Sequence, residues 1–310
     1  MSEQRYYRRV IRITAEDSPN VRLALAQLQA GGEPTGEQLV PGVMPWAEYR
    51  KRRTTWDPIR QSIGLDARFW EGAEVLLFPP QWLDASAAEA DRLDGGKAKR
   101  TAKALGCDPG EGGAETGISV VDELGLLELW ARPTPDTSVI EDAIITLGRR
   151  WGVPPNRWGL DRGGGGKQIA DRMRRNGYPV QTVGFGEAVI AEPRRGLTPF
   201  SQRVGLHEAK STYKNRRAQM YGDLRALLDP AGGVPFALPA RYTELRRQLA
   251  PIPLRYEEGK LVLPPKSKPP GSNVTSLIDI IGHSPDQADS LAVAVHIMIV
   301  GDVRPTAGGA

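Results

Sequence analysis

The sequence has little cysteine and no long apolar run, and each shortage excludes a class of protein. Cys107 is the single cysteine among 310 residues, so the chain has no internal disulfide and no cysteine-rich zinc site, and we expect a reducing, cytoplasmic compartment. The longest apolar run, 291–300, is shorter than the roughly 20 residues that cross a bilayer. The N-terminal residues do not form a secretory signal, so we expect no membrane partner.

The composition leaves room for a sizeable core and indicates a polyanionic partner. Hydrophobic residues make up 40% of the chain, enough for one large core or two domains, and the formal net charge is +4. Basic side chains are grouped at 50–53, 97–103, 172–175 and 214–217. Such groups favour contact with a nucleic acid, although each one also fits a solvated helix face.

The chain divides by composition near residue 95. Residues 1–95 are proline-rich and irregular, and we expect a small, mainly helical region there, with a short strand at 9–14 and helical pieces within 41–68. Residues 96–302 are regular enough to form one domain, and residues 303–310 are expected to be a flexible tail. The polar, basic stretch 87–104 is interpreted as a linker or as a helix with a break.

The regular part predicts an α/β fold with a mixed sheet flanked by helices. Alternation of apolar residues indicates three strands in an antiparallel meander, and later segments alternate helix and strand, which is typical of parallel crossovers. The predicted strands are 104–107, 116–121, 126–131, 157–160 and 179–185, and the predicted helices are 138–151 and 168–176.

The C-terminal third predicts further helices and a hairpin. Helices are expected at 213–228 and 242–249, and a hairpin at 254–263. In the last helix, Ser284 is the predicted N-cap, with Pro285 in the first turn and Gln287 completing a capping box.

Aspartates at the ends of predicted strands form the main candidate site. Asp108 and Asp161 each follow a short apolar run, and Asp286 and Asp289 share one face of the last helix. Clustered carboxylates repel unless metal ions neutralise them, and oxygen-only ligands suit Mg²⁺ or Mn²⁺. Asp286 and Asp289 compete for one ligand role, because the helix register at a metal is not fixed by the sequence. Weaker candidates are Glu115, Glu187 and His283.

The glycine run 163–166 before Lys167 is not a nucleotide-binding P-loop. A P-loop requires a glycine five positions before its Gly-Lys pair and a Ser or Thr after the lysine. Asp161 and Gln168 occupy those positions. We therefore expect no ATPase activity from this chain, and the glycines are interpreted as allowing close backbone approach beside Asp161.

Four segments in order resemble the C-terminal nuclease domain of bacteriophage large terminase subunits, which has a ribonuclease H-like fold. They are 106–110 with 116–121, 160–167 with 177–187, 213–218, and 284–291. Residues 1–95 resemble the end of the terminase motor domain and the linker that follows it. The Walker motifs are absent, so the motor activity of a whole terminase is not expected.

The resemblance implies a metal-dependent endonuclease that cuts concatemeric double-stranded viral DNA during packaging, in the host cytoplasm at the procapsid. It implies two Mg²⁺ or Mn²⁺ ions, with Asp108 bridging them and Asp161 and Asp286 each completing one site; Asp289 is the alternative third ligand. Portal protein and the small terminase subunit are the implied partners. Lys266 or Lys268 is expected near the scissile phosphate. The predicted DNA-binding side chains are Lys167, Lys214, Arg216, Arg217, Lys266 and Lys268.

Two alternatives stay open at this point. One is a resolvase-like nuclease of the same fold that acts on branched DNA. The other is a DNA-binding or assembly subunit without catalytic activity.

Overall fold

The computed structural model describes residues 11–56, 61, 64–67, 75–96, 99–110, 114–190 and 212–301. The chain forms two compact units, residues 1–73 and 74–310. The predicted tail at 303–310 lies outside the described residues. No helix in the described ranges is long and apolar enough to cross a bilayer.

The first unit contains α1 (Pro19–Gln29) and α2 (Trp46–Thr55). Val21, Tyr49 and Leu65 are its buried apolar contacts. The strand predicted at 9–14 is wrong for its described part, because residues 11–14 pair with no other strand. Ile11 and Ile13 lie exposed there.

The second unit begins with a helix whose residues lie within 1–95, the range predicted from the sequence as a separate N-terminal region. This helix, α3 (Pro80–Asp94), is fixed inside the second unit, where the buried Ser86 hydroxyl donates to the carbonyl of Phe236. The polar stretch 87–104 is therefore helical up to Asp94 and continues into the first strand of the sheet after residue 103.

The second unit is built on a mixed five-stranded sheet. Its strand order is β3-β2-β1-β4-β5; the β1–β2 and β2–β3 pairs are antiparallel, and the β1–β4 and β4–β5 pairs are parallel. The predicted meander followed by parallel strands is therefore correct. The strands are β1 (Ala104–Asp108), β2 (Glu115–Val121), β3 (Leu126–Pro133), β4 (Trp158–Asp161) and β5 (Gln181–Val183).

Two helices cover one face of the sheet. They are α4 (Thr137–Arg150) and α5 (Gly166–Arg175), both within two residues of the predicted bounds. Ile144 and Met173 from these helices pack with Leu105 and Ile118 from the strands in one buried apolar cluster. Burial of these apolar side chains stabilises the sheet on this face.

The remaining elements follow in the C-terminal part. They are α6 (Arg216–Leu228), α7 (Thr243–Leu249), the hairpin strands β6 (Arg255–Glu257) and β7 (Lys260–Val262), α8 (Leu277–Ile281) and α9 (Asp286–Val300). The predicted hairpin at 254–263 is confirmed by the antiparallel β6–β7 pair.

The last helix covers the opposite face of the sheet and is almost wholly buried. It approaches closely because a glycine faces it: a Cβ added to Gly106 would lie 2.2 Å from the backbone nitrogen of Ala294. The predicted cap is wrong in one respect. The helix begins at Asp286, and Ser284 makes no cap bond but donates its hydroxyl to the Asp286 carboxylate. A carboxylate in the first turn interacts favourably with the helix dipole in place of that cap.

Candidate functional site

Asp108 and Asp161 end neighbouring parallel strands at the same edge of the sheet. Cys107 pairs with Leu160 across β1 and β4, so the residue that follows each of them emerges at the same level. Both carboxyl groups are buried, with Asp108 only 4% exposed. Strand ends of this kind are where parallel α/β sheets place their functional groups.

The first turn of α9 brings Asp286 and Asp289 to this edge. A Cβ at Gly117 would lie 2.5 Å from the Asp286 carbonyl oxygen, so the start of the helix rests directly on β2. One turn on, the hydroxyls of Ser119 and Ser290 are 2.8 Å apart and buried. These contacts fix the register of the helix against the sheet, and with it the two aspartates.

Lys266 lies among three of the four carboxylates. Its ammonium nitrogen is 3.0 Å from Oδ2 of Asp108, 3.4 Å from Oδ1 of Asp286 and 3.2 Å from Oδ2 of Asp289. The lysine comes from the segment between β7 and α8 and is partly buried. A single cation therefore joins β1 to α9 inside the site.

Asp289 has two further partners from α6. The buried Arg217 guanidinium donates to Oδ1 at 3.2 Å and to Oδ2 at 3.4 Å, and the Tyr221 hydroxyl donates to Oδ1 at 2.7 Å. Asp289 is completely buried. Of the four aspartates it is the one most fully enclosed by hydrogen-bond donors that the structure describes.

Burial and neighbouring charges shift the pKa values of Asp108, Asp161 and Asp289 in different directions. Burial raises the pKa of Asp108 well above its usual value; Lys266 opposes this, and the charges of the other aspartates add to it. Burial also raises the pKa of Asp161. For Asp289, burial acts in the same direction, but Arg217, Lys266 and the Tyr221 hydrogen bond outweigh it, so the pKa is lowered. Of Asp108, Asp161 and Asp289, the last is therefore the one that ionises most readily.

The donor set suits a hard divalent cation. Four carboxylates against the two cations Lys266 and Arg217 leave a formal charge of −2 when all are ionised, and Mg²⁺ and Mn²⁺ prefer such oxygen ligands. In the part of the chain that the structure describes, no three Asp, Glu, His or Cys side chains are placed to hold one ion. The Lys266 ammonium group lies within 3.4 Å of three of the aspartates. Direct coordination by all three therefore requires movement of this lysine.

The other predicted DNA-binding side chains lie outside this cluster. Lys167 is paired with Asp171 at 2.8 Å, Lys214 with a glutamate at 4.0 Å, and Lys268 with Asp279 at 3.7 Å. Arg216 donates to the carbonyl of residue 188. Arg217 differs from them because it is only 7% exposed. Its guanidinium donates to Asp289 inside the site and is not accessible to DNA.

The weaker candidates also have partners of their own. Glu115 accepts a hydrogen bond from a glutamine in the first turn of α9. Glu187 pairs with Arg162, and His283 lies 2.9 Å from Glu244 at the surface. None of these three contacts Lys266 among the interactions that the structure describes.

Tyr221 is the residue of the site that the sequence did not identify. Its apolar neighbours on α6 indicate a core position, and it is fully buried. The sequence feature that could have identified Tyr221 is its spacing. It follows Arg217 by four residues on a helix, so the two side chains lie on the same face.

Comparison with solved structures shows which known proteins have a similar fold. The nuclease domain of the large terminase subunit gp2 of bacterial virus Sf6 is 19% identical, with a TM-score of 0.54, covering 72% of this chain and 99% of that chain. Lysine-to-alanine mutants of that domain are similar with manganese (TM-score 0.52, 19% identity) and with calcium (TM-score 0.53, 20% identity), at the same coverage. No protein-family model and no curated protein matches the sequence.

These likenesses confirm the predicted fold class. The mixed sheet with flanking helices is the predicted ribonuclease H-like fold, and it is similar to the Sf6 nuclease domain over 99% of that domain. At these identities the comparison establishes the fold. The chemistry is therefore argued from the residues of this chain.

Proposed function

We propose that this chain is a metal-dependent DNA endonuclease that cuts concatemeric double-stranded viral DNA during genome packaging. The observation that carries the proposal is the convergence of four buried aspartates from β1, β4 and α9 on one edge of a ribonuclease H-like sheet. Burying like charges together is costly, and sites of this kind accompany perturbed pKa values and catalysis. A manganese-bound nuclease domain of the same fold supports it.

Asp108, Asp161 and Asp286 would hold two Mg²⁺ or Mn²⁺ ions, because Asp108 ends the strand beside that of Asp161 and shares the Lys266 ammonium group with Asp286. Ions held by these residues would supply activation of water and stabilisation of the leaving oxygen. The raised pKa of the metal-free Asp108 fits this role, since a cation would restore its ionised form.

The remaining side chains bind and orient the substrate. The partly exposed Lys266 can donate to a phosphate oxygen at the same edge as Asp108. Lys167, Lys214, Arg216 and Lys268 lie farther out and are proposed to contact the DNA backbone without reading bases. Portal protein and the small terminase subunit are the proposed partners, in the host cytoplasm, and the chain is proposed to have no ATPase activity.

Plasmid cleavage tests the proposal. Supercoiled plasmid incubated with the wild-type chain and Mn²⁺ or Mg²⁺ is expected to be nicked and linearised, and EDTA is expected to stop this. Asp108→Asn and Asp161→Asn are expected to lose at least about 100-fold in rate, since each replaces a charged carboxylate ligand with a neutral amide.

Asp84→Asn is the matched control, because Asp84 is an exposed acid on α3 that pairs with Arg246 at the surface. It is expected to cut like the wild type. A wild type that leaves plasmid intact with both metals, or aspartate variants that cut equally well, would contradict the nuclease assignment. Exclusive cleavage of four-way junctions would favour the resolvase alternative.

A further inference from the structure

Arg217 contacts both α9, which carries Asp289, and the segment that follows β5, the strand beside Asp161. Its guanidinium donates to the Asp289 carboxylate on α9. Its backbone N–H donates to the carbonyl of Phe185 at 3.0 Å, and the guanidinium lies 5.5 Å from the centre of the Phe185 ring. Phe185 follows β5, the strand that pairs Val183 with Asp161. One arginine therefore joins the Asp161 side of the site to the Asp289 side.

The surroundings of Asp289 differ from those of Asp286. Asp289 is fully buried and accepts from Arg217, Tyr221 and Lys266. Asp286 accepts from Lys266 and from Ser284, which lies two residues before it and outside the helix. Charged hydrogen bonds to a buried carboxylate restrict its rotation and occupy its lone pairs. Asp289 is therefore the less available ligand of the two.

We infer that Arg217 and Tyr221 are positioning residues, which hold Asp289 as a fixed anchor for the start of α9 and for Lys266, while Asp286 is the helix aspartate that contacts metal. This inference rests on the proposed nuclease function and assigns the roles of two aspartates within it. Neighbours that orient the groups around a metal typically contribute 10- to 100-fold to its affinity.

Calorimetric titration of Mn²⁺ into the DNA-free protein tests this without using catalysis. Tyr221→Phe removes one hydroxyl from Asp289 and keeps the ring that packs near Phe78, so it is expected to fold and to bind Mn²⁺ about 3- to 10-fold more weakly. Arg217→Met is expected to lose about 10- to 100-fold, and Arg217→Lys to recover part of that loss.

Tyr242→Phe is the matched control. Its hydroxyl accepts from the backbone N–H of Leu129, on β3 and away from the aspartates, so Mn²⁺ affinity is expected to be unchanged. A double-variant cycle adds a second readout: Arg217→Met is expected to have little further effect once Asp289 is changed to Asn, but its full effect once Asp286 is changed to Asn.

Kinetics distinguish positioning from a general loss of structure. Tyr221→Phe is expected to raise the Mn²⁺ concentration that gives half-maximal cleavage and to leave the rate at saturating Mn²⁺ within about threefold. Wild-type Mn²⁺ affinity in both Tyr221→Phe and Arg217→Lys, or an Arg217→Met effect that persists in the Asp289→Asn background, would overturn the inference. If the wild type cleaves DNA while these results occur, only the inference fails; a wild type that neither binds Mn²⁺ nor cuts overturns both proposals.

Discussion

Gly106 and Ala294 are in direct backbone contact, and this contact sets the distance between the sheet and the helix that carries two of the four aspartates. A Cβ at Gly106 would lie 2.2 Å from the Ala294 nitrogen and 2.4 Å from the Ser290 carbonyl oxygen. Both neighbours are backbone atoms in the middle of a buried helix. They cannot move aside as the end of a flexible side chain can.

Gly106→Ala is therefore expected to destabilise the chain by about 3 kcal/mol or more, because the added methyl forces α9 away from β1. It is also expected to reduce cleavage in the folded fraction, since Asp286 and Asp289 move with the helix. Urea unfolding followed by circular dichroism measures the first effect. Gly95→Ala is the control: a Cβ there meets no atom closer than 3.5 Å, and a stability equal to that of Gly106→Ala would contradict the contact.

Lys266→Met tests the internal cation. Without it, Asp108 and Asp286 lose a shared positive partner, and the metal-free protein is expected to lose about 1–3 kcal/mol, a range that allows for the partial exposure of the lysine. Mn²⁺ is expected to raise the melting temperature of this variant more than that of the wild type, because the ions replace the missing charge. Lys268→Met, whose lysine pairs only with Asp279 in the described contacts, is the matched control. Equal melting temperatures for Lys266→Met and wild type in EDTA would disprove the expectation.

Asp223 gives a pH-dependent prediction that is independent of the metal site. It is buried on α6, its two oxygens have no hydrogen-bond partner among the described residues, and burial raises its pKa well above the usual value. The folded state therefore keeps a proton that the unfolded chain loses above about pH 3.9, so stability falls as the pH rises towards the folded pKa.

Asp223→Asn removes this titration. The variant is expected to match the wild type in stability near pH 3.5 and to be the more stable of the two at pH 8, because only the wild type must then bury or protonate a carboxylate at this position. Guanidinium unfolding at several pH values measures the difference. Asp91→Asn, at an exposed acid on α3, is expected to follow the wild type throughout. A constant difference between Asp223→Asn and wild type across this range would argue against a buried, protonated carboxyl.

Arg100 and Asp122 form an ion pair at the turn after β2, in which the carboxylate is buried and the arginine side chain is 13% exposed. The arginine Nε is 2.8 Å from Oδ2 of Asp122, whose Oδ1 also accepts from the N–H groups of Leu124 and Gly125. Arg100→Met is expected to cost about 3 kcal/mol, because it leaves a buried carboxylate without its cation. Arg241→Met breaks an exposed pair with Asp94 and is expected to cost under about 1 kcal/mol. Similar losses in chemical denaturation for both variants would contradict this ranking.

The strand-end aspartates were predictable because their signals are local. Asp108 and Asp161 each follow a short apolar run and precede glycine-rich turns, and strands end at such turns. The positions of Lys266 and Arg217 depend instead on how distant segments pack. Arg217 lies in a basic run that is typical of an exposed helix face, yet tertiary packing buries it against Asp289. A pattern of neighbouring residues does not predict that the partner of Arg217 is Asp289, which lies 72 residues away.

The start of α9 is a second feature that the sequence did not predict correctly. Ser284, Pro285 and Gln287 match a common capping pattern, but the Ser284 hydroxyl is used by the Asp286 carboxylate. Donation of the hydroxyl hydrogen alone does not prevent capping, because a cap uses the oxygen as acceptor. Ser284 fails as a cap because the helix begins at Asp286 with Pro285 in the N-cap position, one residue later than the pattern predicts.

The distribution of the four aspartates along the chain has a consequence for biosynthesis. Asp108 emerges from the ribosome early in the second unit, and Asp286 and Asp289 emerge only with its final helix. Because domains fold as units, a nascent or truncated chain that ends before α9 has half of its carboxylates and an uncovered sheet face. Under the proposed function, a chain that ends before α9 is therefore expected neither to hold the metal ions nor to cut DNA, because it lacks Asp286 and Asp289.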